Sequence, residues 1–379
     1  MPRRVLIVSV SAGAGHVRAA QAVAEALAAA HKDATVKNVD CMDHVFWPFR
    51  KLYVGGYLVL VNRMPSMWGR IYNRTARQQP TALAARAARF IERFSCGKLG
   101  RLVRDFAPDE IMANHPLPIH YLCGLKRRGR TKARISVVTT DYCLHPLWTH
   151  PDVDLYFASC PEVAGLVERC GAAPERVRVT GIPLVPAFAK PAAAEERARL
   201  RREMMLADGR PTVLCSAGGF GVGQIYQTIH AVIAAAARAG GADLLVVAGR
   251  NQALRARLQA IAAPERVKLT VFGFVNNMHE LMAASDLMVT KPGGLTSTEG
   301  IARSLPMIIL DPIPGQEECN ATYLLESGVA WRAHDLASLG YKLGRLLSSP
   351  EDRAAMRRAC ERLARPKAAA EIAKTLAGA

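Results

Sequence analysis

Three things are missing from this 379-residue sequence, and each removes a class of protein. No run reaches the roughly 18 apolar residues that a membrane-crossing helix needs. Nine cysteines are scattered without a C-x-x-C pair, which argues against a disulfide framework or zinc site and fits reduced thiols in the cytosol. No G-x-x-x-x-G-K-[ST] motif occurs, so a P-loop nucleotidase is excluded. Acid is also short. Against 50 Lys and Arg stand 32 Asp and Glu, a formal net charge of +18 that favours nucleic acid, an acidic lipid surface or a phosphorylated substrate.

The acid deficit is local. From His44 to Ile91 there is no Asp or Glu, while the same 48 residues hold eight Lys/Arg and eight aromatics, Trp47, Tyr53 and Trp68 among them. Basic residues beside an anionic leaflet contribute about 1 kcal/mol each, and Trp and Tyr settle at headgroup depth. The apolar "VGGYLVLV" within it is too short to span a bilayer but can dip into an interface. A helix packed on its own domain with a basic outer rim is the alternative. "KRRGRTKAR" (126–134) adds a second basic patch.

What is present is alternation. Short β-branched runs at 4–10, 35–40, 110–114, 134–140 and 154–158 are separated by helical or loop segments, and a second set follows at 212–217, 243–249, 268–274, 286–290 and 306–311. The opening "MPRRVLIVSVSAGAGH" imitates a signal peptide, but it passes straight into a glycine turn and suits a first strand better. Strands spaced by helices imply parallel sheets covered on both faces. Two doubly wound domains are therefore expected, joined near residue 186 and facing across a cleft. Helical patterns at 335–348 and 350–378 close the chain.

Three glycine turns invite chemistry. "SAGAGH" (11–16) allows a dinucleotide reading with Gly13, Gly15 and Asp40, although Arg18 stands where a small residue should pack. His16, at the mouth of this turn, is the candidate functional group. "SAGGFGVG" (216–223) can converge backbone amides on an anion. "VTKPGGLTSTEG" (289–300) runs from a strand into a helix start, where unpaired N–H groups and the helix dipole suit phosphate.

The segments "KPGGLTSTEG", "DPIPGQEECNATYL" (311–324), "SAGAGHVRAAQAV" and "TTDYCLHPLWTHPDVDLYFAS" (139–159) together resemble a known family. They are similar to the GT-B glycosyltransferases related to the peptidoglycan-precursor N-acetylglucosaminyltransferase, and within them to monogalactosyldiacylglycerol synthases and processive diacylglycerol glucosyltransferases. The resemblance implies an α/β GT-B fold: an acceptor- and membrane-binding domain over 1–186, a donor domain over 187–350, and a C-terminal helix over 351–379 packing back on the first domain. It implies an inverting transfer from a UDP-hexose to diacylglycerol on the inner face of the cell membrane; the basic, aromatic stretch adds anionic lipids as partners, and with no Asp-x-Asp cluster read for a divalent ion, no metal or other cofactor is expected.

The resemblance also assigns residues. Gly219, Gly221, Gly293 and Gly294 would bring amides to the diphosphate, with Thr296 and Ser297 adding hydroxyls. Glu299 would hold the ribose, against a capping role in the helix's first turn. Gln316, Glu317 and Asn320 would meet the hexose or phosphate, and Phe274 and Val275 the uracil. His16 is the expected base, its ordinary pKa near 6.5 suiting the task, and Asp141 is the competitor. Gly15, His145 and Trp148 would shape the acceptor pocket. Other readings stay open: transfer from a UDP-sugar to another lipid acceptor, of the peptidoglycan-precursor type, and a dinucleotide oxidoreductase, which would need a better fingerprint at 11–18. A nucleic-acid binder could use the charge but shows no recognisable module, and a nucleotide-sugar 2-epimerase would not need the acid-free aromatic stretch.

Overall fold

The computed structural model describes residues 3–11, 13–77, 96–216 and 224–378. The chain divides into two compact units, Met1–Pro186 with Ile313–Gln316 and Arg365–Ala379, and Ala187–Pro312 with Glu317–Ala364.

In the first unit six parallel strands run β1 (Arg4–Ser9), β2 (Thr35–Asp40), β3 (Glu110–Ala113), β4 (Arg134–Val138), β5 (Leu155–Ala158) and β6 (Val177–Val179). Their order is β2-β1-β3-β4-β5-β6. Val5, Ile7, Met112, Val138 and Phe157 project from this sheet into a core closed by Ala20, Val23 and Leu27 of the helix Ala14–Ala30. The last helix, Ala368–Ala377, adds Ile372, Ala373 and Leu376 to the same core. Small alanines on both helices let them lie close together.

The second unit repeats the plan with β7 (Thr212–Ser216), β8 (Ala242–Val247), β9 (Val267–Phe272), β10 (Leu287–Thr290), β11 (Met307–Ile309) and β12 (Ala330–Arg332). Their order is β12-β11-β10-β7-β8-β9, again all parallel. Every residue of β7, β8 and β10 is buried, as continuous apolar runs in a sheet covered on both faces require.

Each sheet has one point where the winding reverses, between β1 and β3 and between β7 and β10. Crevices outside the carboxyl ends of strands at such points are where doubly wound sheets bind ligands. Two expectations change. The helix expected over 351–379 is two helices, Pro350–Leu363 and Ala368–Ala377, interrupted around Pro366, whose ring disfavours helix in the residue before it. β6 and β12 were not among the expected strands, because "VRV" and "AWR" are too short to show a period.

Candidate functional site

At the first switch point the chain leaves β1 through Gly13 into the helix Ala14–Ala30, so His16 lies in that helix's first turn. Its main-chain oxygen accepts from Asn114 Nδ2 at 2.5 Å, a side chain presented just beyond β3. Its ring Nδ1 lies 2.9 Å from Thr140 Oγ1, just beyond β4. His115 meets the imidazole edge-on at 4.8 Å between centroids, and the Trp148 ring is 6.2 Å away. Burial among these groups lowers the His16 pKa below its ordinary value, while the nearby Asp141 charge and a hydrogen bond of the ring to the Asn114 main chain oppose the shift. His115 is pushed well below by burial and then by His16. The imidazole is therefore uncharged at neutral pH, and Asp141, itself buried, is close enough to act on it.

His145 and Trp148 are brought to the same place. His145 Nε2 lies 3.1 Å from Thr75 Oγ1, and its ring is 4.8 Å from Tyr72. Tyr72 continues a ladder to Trp68 at 6.2 Å and on to Tyr57 at 5.2 Å, while Tyr53 stands 6.3 Å from His115. The aromatic stretch thus carries its inner rings to the histidines. Its helices, Trp47–Arg63 and Pro65–Arg77, leave Phe46, Trp47, Leu52, Val59, Met64, Met67 and Ile71 exposed beside the exposed Arg50, Lys51, Arg63, Arg70 and Arg74. Trp47 is 70% exposed. The rest of the acid-free stretch, from 78 on, is outside the described residues. Among the described residues no helix is long and apolar enough to cross a membrane.

At the second switch point β10 passes through Lys291-Pro292-Gly293 into the helix Gly294–Ala302. The amide of Gly293 donates to Lys291 O at 2.9 Å and is already engaged, while a Cβ there would meet only Glu317 Oε1, at an ordinary contact distance of 3.8 Å. The first-turn amides, those of Gly294, Leu295 and Thr296, are the donors that a helix start leaves without helical partners. Ser297 is fully buried, and its Oγ has no hydrogen-bond partner among the described residues. Glu299 is not in the first turn as expected but one turn further in, and is buried, which removes the capping role. Lys291 makes no ion pair among the described residues, and it lines a recess with Ser216, Thr290 and Asp311 at the ends of β7, β10 and β11.

Gln316, Glu317 and Asn320 open the helix Gln316–Glu326, with Asn320 fully buried. Phe274 is exposed, and the Arg250 guanidinium covers its ring at 4.9 Å, with Val275 following. Gly219 and Gly221 lie outside the described residues. Asp40, the ribose ligand of a dinucleotide reading, accepts through Oδ1 from the amides of Ser11 at 3.2 Å and Met42 at 2.9 Å, a cap on the turn that follows β2.

Among the described residues no three His, Cys, Asp or Glu side chains are placed to hold a metal. The expectation of a metal-free site passes over one Asp-x-Asp triplet, Asp152-Val153-Asp154. There Asp152 pairs with Arg127 at 2.8 Å, and Asp154 binds Lys126 and the Ile135 amide.

Sequence reasoning missed Asn114, His115, Thr140 and Arg250. His115 was open to the rule that picked His16, a histidine just beyond a strand's carboxyl end. Asp311 was missed as well; it adopts φ +47°, a left-handed conformation that asparagine and aspartate tolerate better than most residues, at the same strand ends.

A solved structure of Acinetobacter baumannii MurG covers 100% of both chains with a TM-score of 0.63 at 14% identity. The fold is accordingly GT-B, two Rossmann-like units in one chain. Family models then separate the halves. Residues 16–184 match monogalactosyldiacylglycerol (MGDG) synthase, and residues 210–362 match glycosyl transferases group 1. The chain is 32% identical to the chloroplastic monogalactosyldiacylglycerol synthase of Spinacia oleracea over 86% of its own length and 63% of that protein's, so it spans under two thirds of this relative. It is 28% identical to a processive diacylglycerol beta-glucosyltransferase of Staphylococcus aureus (strain Newman), over 86% of this chain and 80% of that one. The chain thus carries a domain of the monogalactosyldiacylglycerol synthase type followed by one of the glycosyl transferases group 1 type, and it is similar to monogalactosyldiacylglycerol synthases and processive diacylglycerol glucosyltransferases.

Proposed function

We propose that this chain is an inverting hexosyltransferase, moving galactose or glucose from a UDP-hexose to a hydroxyl of diacylglycerol at a membrane surface. The observation that carries the proposal is His16: an imidazole kept neutral by burial, oriented through Nδ1, at a strand-end crevice. Such a group is suited to take a proton near neutral pH. The names of the relatives supply the substrate class.

In the reaction, the acceptor hydroxyl gives its proton to His16 Nε2 as its oxygen attacks the anomeric carbon. The bond from that carbon to the diphosphate breaks on the opposite side, which inverts the centre and releases UDP. Charge grows on the diphosphate as it leaves. The first-turn amides of Gly294 to Thr296, the Ser297 hydroxyl and the Lys291 ammonium are fixed donors for that charge. Fixed donors lower a barrier because they need no reorganisation as charge develops. Glu299 accepts from the ribose hydroxyls, Phe274 under Arg250 and Val275 line the uracil, and Gln316, Glu317 and Asn320 meet the hexose. No metal is required in this scheme, so transfer should survive a chelator.

The exposed apolar and basic residues of Trp47–Arg63 and Pro65–Arg77 dock the protein peripherally on anionic lipid of the cytoplasmic leaflet. The test is incubation of the purified protein with labelled UDP-galactose or UDP-glucose and vesicles with or without diacylglycerol. A labelled lipid that forms only with diacylglycerol is expected. Release or epimerisation of the sugar nucleotide without any labelled lipid would overturn the proposal.

A further inference from the structure

We infer that Thr140 is a positioning residue, whose hydroxyl accepts the hydrogen on His16 Nδ1 and thereby holds the ring in the tautomer with Nε2 open to a proton. The inference rests on the proposed role of His16 as base and goes beyond it, since it names what sets that base.

A neutral imidazole carries one N–H, and the nitrogen that bears it cannot accept. Thr140 Oγ1 and His16 Nδ1 are 2.9 Å apart, and Thr140 is almost fully buried. If the hydroxyl donated, Nδ1 would be the acceptor and the hydrogen would sit on Nε2. The ring would then donate to the acceptor hydroxyl instead of deprotonating it. Base action at Nε2 therefore requires that Thr140 accept.

The rest of the setting holds the ring where this contact can act. Asn114 Nδ2 donates to the His16 carbonyl and fixes the main chain, and His115 closes one side edge-on at 4.8 Å. Thr140 follows β4 and Asn114 follows β3, so the ends of two strands of one sheet hold this residue, one at its ring and one at its main chain. The Thr140 group at Nδ1 is a neutral hydroxyl. It fixes the tautomer without placing a charge against the ring, and the carboxylate that does act on the ring is the neighbouring Asp141.

Two substitutions separate orientation from packing. Thr140→Val keeps the shape and loses the acceptor; Thr140→Ser keeps the acceptor and loses a methyl. We expect Thr140→Val to lower kcat about 10²-fold with donor KM within about twofold. Thr140→Ser should retain kcat within about threefold of the wild type. The reverse order, an active valine variant and an impaired serine variant, would show that only the buried methyl matters. Should Thr140→Val fail to fold, nitrogen NMR of histidine-labelled wild-type protein decides: Nδ1 protonated and Nε2 bare is expected for neutral His16, and the opposite tautomer overturns the inference. Failures are distinguishable. If His16→Ala leaves transfer intact, the proposed function falls; if His16→Ala is inactive and Thr140→Val is normal, only the Thr140 inference falls.

Discussion

The two sheets end in the same way and offer different chemistry. At both switch points a strand passes through a short turn into a helix whose N-cap is a glycine in extended conformation, Gly13 in one and Gly293 in the other. Around the first stand side chains that titrate or orient: His16, Asn114, His115, Thr140 and Asp141. The second presents helix-start amides, a buried hydroxyl without a partner among the described residues, and a buried carboxylate. Proton removal needs a side chain whose pKa its surroundings can set, whereas a departing diphosphate needs dipoles that are already aligned. One topology thus serves both tasks, and the identity of the groups at the strand ends decides which.

If that division holds, substitutions at the first site should strike kcat and those at the second should strike donor binding. His16→Ala gives the largest effect, a loss of about 10³-fold or more in kcat with UDP affinity within a fewfold, read by single-turnover transfer and calorimetry. A comparable loss of UDP affinity would erase the distinction. Glu299→Gln follows. It weakens hydrogen bonds to a charged acceptor, typically about 1.5–3 kcal/mol, so steady-state kinetics should show donor KM raised about 10- to 10²-fold with kcat little changed.

Asp141→Asn sharpens the account of the first site. Burial lowers the His16 pKa and Asp141 opposes it, so removing the carboxylate lets the pKa fall further. The base then stays unprotonated to lower pH, and the acid limb of the kcat profile moves down. The weaker base should slow the plateau by about tenfold or less. Complete loss of transfer would make Asp141 itself the base. The smallest effect concerns the surface: Trp47→Ser with Leu52→Ser should reduce cosedimentation with anionic vesicles while leaving calorimetric UDP binding unchanged.

Much of the fold was legible, because buried parallel strands read as apolar runs and their helices as spacers. β6 and β12 escaped because three residues carry no period, and the break at Pro366 was absorbed into an alanine-rich helical pattern. The strand-to-helix turn at "KPGGLTSTEG" was legible because the motif travels with its neighbours. Site residues were illegible where a role depends on tertiary approach. Nothing local marks Thr140 as facing His16, 124 residues away in sequence. The commitment of the Gly293 amide to Lys291 O is likewise a property of turn geometry that composition does not carry.

The division of labour is tested most directly by amide hydrogen exchange on the intact protein, with and without UDP, in the presence of EDTA. The account predicts slowed exchange in the first turn of Gly294–Ala302 and no change in the first turn of Ala14–Ala30. Protection confined to Ala14–Ala30, or appearing only once a divalent metal is supplied, would contradict it.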